Sequence, residues 1–236
     1  MFIYMSSIRG STQSSHYHPT VDVPKVAGIA TVLVAVNILL MLAGSYTPIA
    51  DLGLVLFSNF FVGVGTFVVT IGGGFWISNR GIERGTLPVA GAGVALIQFG
   101  YTLLGSAILV IAPSALRVPA LSITTILTGL LTAGVVVLVY RTDRSFERWQ
   151  TYSRGLFVAG FGAGGVGFFL NSSLMIFAFV LFFLGFVTDL TYEIWAVKEH
   201  KYASALRNAL GIYVAVMGVF VHILQLVLRV LSLLDN

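Results

Sequence analysis

The strongest constraint on this chain is the recurrence of apolar stretches about twenty residues long. A helix of that length covers roughly 30 Å, the thickness of a bilayer's hydrocarbon core. Seven stretches qualify: 25–44, 52–77, 88–112, 120–140, 154–170, 173–197 and 206–230. Composition agrees, because 57% of the 236 residues are hydrophobic and 9% charged, against about a quarter charged in soluble domains. The expected fold class is therefore an all-α, polytopic membrane protein, a seven-transmembrane-helix bundle over residues 25–236. Residues 1–24, rich in Ser, Thr and His, read as a flexible cytoplasmic arm. They lack a signal peptide's apolar run, so the first span is expected to act as an uncleaved insertion signal.

The thirteen Lys and Arg residues orient such a bundle. Eleven fall at one end: Arg9, Lys25, Arg80, Arg84, Arg141, Arg144, Arg148, Arg154, Lys198, Lys201 and Arg207. Only Arg117 and Arg229 fall at the other. This asymmetry predicts a cytoplasmic N-terminus and an external C-terminus. With no organelle signal, a prokaryotic plasma membrane is the expected residence, and the bilayer the first partner. The charges form no long basic run, which argues against nucleic acid. The absence of cysteine excludes disulfides and thiolate chemistry.

Against this background Asp189 stands out. It lies eight residues before Val197, about 12 Å inside the predicted span at 1.5 Å per residue. An acid in hydrocarbon costs several kcal/mol, so it is expected to face a cavity, the bundle interior or a partner charge. A functional role is favoured over a structural acid bonded to a neighbouring Tyr, Ser or backbone group. Glu193, one turn nearer the interface, reads first as an acid balancing local charge such as Lys198, and second as an accessory to Asp189. His222, in the seventh span, reads as a polar bundle residue bonding between helices before it reads as a proton relay. Asn37, Asn59, Gln98 and Gln225 take the same interhelical reading.

Several motifs are decoys. Gly160 to Gly167 contains a G-x-G-x-x-G pattern, but no strand precedes it. Gly160/Gly164 and Ala163/Gly167 instead have the small-xxx-small spacing of closely packed membrane helices. Gly72, Gly73, Gly74 and Gly91/Ala95 are read the same way. The fifth and sixth spans, joined through Asn171-Ser172-Ser173, are expected to form a tight hairpin. The loop from Arg141 to Trp149 alternates charge signs and reads as a solvated, topology-setting loop, with anionic lipid or protein partners as the alternative. No metalloprotease, serine-hydrolase or paired-aspartate protease motif is present. An enzyme is not expected.

The second half of the chain resembles the Bax inhibitor-1 (transmembrane Bax-inhibitor-motif) family. The resemblance rests on Ala95 to Ser106 in the third span, on Val139-Tyr140-Arg141-Thr142-Asp143-Arg144-Ser145, and on Phe186-Val187-Thr188-Asp189-Leu190-Thr191-Tyr192-Glu193-Ile194. Ala209 to Met217 and the apolar finish from Leu224 to Leu231 complete it. It covers about residues 88–233, and span number and orientation also agree. The resemblance implies a bundle that leaks cations, calcium foremost, into the cytosol. It further implies a proton-sharing aspartate pair near the cytoplasmic side, one in the sixth helix and one in the seventh. Asp189 matches the first, and the second position is occupied by Ala215. One carboxylate offers few of the six or more oxygens calcium prefers, so a weak calcium site at Asp189 and altered pH sensing are expected.

The leading expectation is thus a pH-influenced calcium or cation leak channel with Asp189 and Glu193 as its ion-binding, pH-sensing residues. No cofactor is expected beyond Ca2+ as a permeant or bound ion. A proton-coupled small-solute transporter is the alternative, and a non-conducting membrane regulator acting through partners is the third reading.

Overall fold

A computed structural model describes residues 21–170 and 172–234. Most of the N-terminal arm with Arg9, and also Asn171 and Asp235, lie outside them. The helices are α1 (Val23–Gly44), α2 (Pro48–Phe57), α3 (Phe60–Glu83), α4 (Leu87–Val110), α5 (Ser114–Arg141), α6 (Trp149–Leu170), α7 (Ser172–Lys198) and α8 (Ala205–Leu234). All but α2 are long and apolar enough to cross a membrane. The chain is an all-α polytopic membrane bundle.

The largest departure from the sequence reading is in the second span. The apolar run 52–77 breaks at Ser58-Asn59, because Asn59 Oδ1 accepts from the backbone N–H groups of Phe61 and Val62 and starts a new helix. Asn59 is an N-cap, not an interhelical residue. The spanning helix therefore runs from Phe60 to Glu83, with a π-helical turn at Val68–Gly72. Pro24, Pro48 and Pro88 sit in first turns, where the missing N–H has no consequence. Pro119, the residue before the apolar stretch 120–140, lies inside α5, since that helix starts at Ser114. The arm's end is also fixed: Asp22 caps α1, and the Val21 N–H donates to His200 Nδ1 at 3.2 Å.

Helices α4 and α8 form the centre, each with 56% of its most apolar window buried, against 22–28% for the other spans. Around α8 pack α1, α4, α5 and α7; α2 and α3 lie on α4. The main core joins Met41, Ile97, Tyr101, Tyr213, Met217 and Phe220 from α1, α4 and α8. Helix α6 rests chiefly on α7, as the expected hairpin requires. Gly160, Gly164 and Gly167 are buried there. A Cβ on Gly167 would lie 2.9 Å from Leu174 Cβ and Met175 N, and one on Gly160 3.1 Å from the Phe182 ring. The glycine run serves close packing.

Candidate functional site

Asp189 and Glu193 of the sixth span and Arg207 of the seventh lie where α7 and α8 approach the loop 199–204. Asp189 is half-buried on α7 and faces Ser153 of α6, whose buried hydroxyl makes no hydrogen bond among the described residues. Among the described residues Asp189 makes no ion pair within 4 Å. Arg207, Arg154 and Glu193 are the charged groups that bear on it.

Glu193, one turn further along α7, is 4% exposed. Its carboxylate receives both arms of the Arg207 guanidinium, at 3.2 Å (Nη1 to Oε2) and 3.3 Å (Nη2 to Oε1). Two parallel charge-assisted bonds of this kind are the strongest polar contacts a side chain makes. The guanidinium stacks on the Tyr202 ring at 4.2 Å and on Phe75 of α3 at 4.9 Å. Its position follows from the start of α8: Ser204 Oγ accepts from the Arg207 N–H, and Asn208 Nδ2 donates to the carbonyls of Tyr202 and Ser204. Gly211, the next turn of α8, leaves room for the pair. A Cβ there would strike the Glu193 carboxylate and stand 2.7 Å from Arg207 Nη1.

Lys198 is not the partner of Glu193. Its ammonium donates instead to the carbonyls of Val139 and Thr142, each at 3.0 Å. Nor is Arg207 a loop cation: its side chain is 14% exposed within the bundle. The loop 142–148 is tied down as well, through Lys201–Glu147 at 3.3 Å and the buried Phe146, whose ring meets Trp149 edge-on.

Ala215 is fully buried in an apolar cluster with Leu190, Ile194, Val135 and Val139. His222 is also enclosed, with Phe179, Phe183 and Phe186 around its ring at 4.9, 6.2 and 5.6 Å. Its Nδ1 bonds the Gly218 carbonyl of its own helix at 2.7 Å. That contact does not bridge helices. Asn37 does: its Nδ2 donates to Thr102 Oγ1 at 3.1 Å and to the Gln98 carbonyl, and its Oδ1 accepts from the Tyr213 hydroxyl. Gln98 reaches the Leu33 carbonyl, and Tyr101 donates to that of Val214 at 2.7 Å. Tyr101, Thr102 and Tyr213 were not expected here, because single hydroxyls in an apolar run carry no pattern.

Tyr202, in the loop beside the pair, is pushed up to about 12, first by burial and then by its hydrogen bond with Tyr192 at 3.0 Å. An ordinary tyrosine ionises near 10. Between these values the folded protein holds a proton that the unfolded chain releases. Its contribution is therefore full below about pH 10 and lost as pH rises through 12. Tyr202→Phe is expected to flatten this part of the alkaline denaturation curve relative to wild type. Superimposable curves from pH 9 to 12 would refute the assignment.

Among the described residues no group of three or more His, Asp, Glu or Cys side chains is placed to hold a metal ion. Among the described residues the carboxylate that bears on Asp189 is Glu193, already held by Arg207. The arrangement suits a proton or a weakly held monovalent cation better than calcium. In comparison with known proteins, no family model matches the chain, and no curated protein or solved structure matches it.

Proposed function

We propose that this protein is a pH-influenced cation leak of the bilayer, with Asp189 as its ion site and the basic-loop face cytoplasmic. The observation carrying this reading is an acid inside a span that makes no ion pair among the described residues, beside a buried pair that already neutralises Glu193. An unpaired carboxylate attracts a cation, and protonation removes that attraction. Glu193 acts as an accessory by holding Arg207 off Asp189. The Bax inhibitor-1 resemblance of residues 88–233 supports the same reading, with calcium as one candidate permeant. The sparse oxygen set favours monovalent ions.

Proton-coupled transport of a small solute is the second reading, favoured by the π-helical turn at Val68–Gly72. Such turns cluster at functional sites. Phe67, beside this turn, packs edge-on against Tyr101 and against Phe186, three residues before Asp189.

Purified protein in liposomes, loaded with potassium, sodium or calcium and assayed at several pH values, tests the proposal. Wild type should leak, and Asp189→Asn should slow the leak on the order of tenfold, the equivalent of about 1.4 kcal/mol. Equal fluxes in the two proteins would remove Asp189 from the mechanism. No flux from either would favour a regulator acting through partners. Uptake that needs an imposed proton gradient would favour the transporter.

A further inference from the structure

At the end of the bundle remote from Asp189, α2 is only ten residues long and lies on α4, where Gly53 meets the Leu103 carbonyl. It is too short to fill the space between α4, the start of α5 and the end of α8. The result is an open groove of about 690 Å³, within the roughly 300–1,000 Å³ of small-molecule sites. Its walls are apolar, with Leu54, Phe57, Leu104, Ile108 and Leu228 among them. Its polar side chains are Ser58, whose hydroxyl donates to the Val55 carbonyl, and a stripe of α8, Gln225, Arg229 and Ser232, at the i, i+4, i+7 spacing of a single helix face.

Two arginines lie at this end, and only one is available. Arg117 donates to the Ser45 carbonyl at 2.7 Å and to that of Ala112, and it covers the Tyr46 ring at 4.8 Å. Arg229 is exposed, and its guanidinium has no hydrogen bond or ion pair among the described residues. The groove therefore joins an apolar trough to one uncommitted cation, at the level where α4 passes through Ile111, Ala112 and Pro113 into α5.

We propose that this groove binds an anionic glycerophospholipid, with the headgroup phosphate on Arg229 and an acyl chain along Leu54, Leu104 and Ile108. A guanidinium presents a fork of donors that matches phosphate oxygens, and Gln225 and Ser232 lie along the same stripe. Charge and apolar length together select a lipid over a free anion, which would leave the trough unfilled.

The chain has no cysteine, so Leu54→Cys places one fluorophore in the groove wall, where Leu54 is 37% exposed. The reconstituted full chain is then titrated with brominated phosphatidylglycerol or brominated phosphatidylcholine, and fluorescence quenching gives relative occupancy at that spot. Phosphatidylglycerol should reach half-quenching at a mole fraction about five- to tenfold lower, as one charge-assisted contact implies. Arg229→Gln should abolish this preference, and Arg229→Lys, which keeps the charge, should retain it. Equal quenching by both lipids in the parent, or a preference that survives Arg229→Gln, overturns the proposal. Loss of the preference in millimolar inorganic phosphate would reassign the site to a soluble anion. Cross-linking between Leu54→Cys copies, with quenching independent of lipid type, would reassign it to a second copy of the chain.

Discussion

Arg207→Gln is expected to destabilise the bundle by about 3–5 kcal/mol, because it leaves the Glu193 carboxylate buried without its counter-charge. Exposed ion pairs rarely exceed about 1 kcal/mol, but here the side chains are 14% and 5% exposed. The substitution also removes the stacking of the guanidinium between Tyr202 and Phe75. The double variant Arg207→Gln, Glu193→Gln should recover most of the loss, since neither remaining amide is charged. Arg207→Lys should fall between, keeping the charge but not the two parallel bonds. Unfolding in mixed detergent micelles, with helicity as the signal, reads all three. A single variant within 1 kcal/mol of wild type would mean that water reaches the pair.

The same pair marks the limit of what could be read before folding. Seven spans were legible because hydrocarbon thickness imposes a length on any helix that crosses it, and the chain repeats that length. Asp189 was legible because a charge in such a segment is conspicuous. Arg207 was not, since a basic residue two positions inside a span looks like part of the loop that orients it. Its role depends on α8 packing antiparallel to α7 and on Gly211 leaving space. Neither is a local property. The break at Ser58-Asn59 was hidden for the opposite reason. The residues around it are uniformly apolar, and hydropathy continues across a cap that only hydrogen-bond geometry defines. His222 and Asn37 make the point from one more side. Both are polar residues in apolar runs, yet one bonds within its own helix and the other joins three.

Glycine spacing has a similar ambiguity, and it supplies the second large expected effect. Gly91 was the helix-packing candidate in the third span, but a Cβ there meets nothing within 4 Å. Gly93, two residues on and rotated to the other face, is the contact. A Cβ on it would lie 2.5 Å from the Gly74 carbonyl oxygen and 2.8 Å from Ser78 Cα. Both obstacles are backbone atoms of α3, so no rotamer change can relieve them. Gly93→Val should therefore force α3 and α4 apart, break the 3.0 Å bond from Ser78 Oγ to the Ala90 carbonyl, and cost about 3 kcal/mol or more. Gly91→Val should stay within about 1 kcal/mol of wild type, because membrane helices tolerate β-branched side chains facing lipid. Thermal unfolding of the two variants side by side checks the contrast. Equal losses would mean that glycine matters here for its backbone freedom at any position, and not for the approach of α3 to α4 at this one.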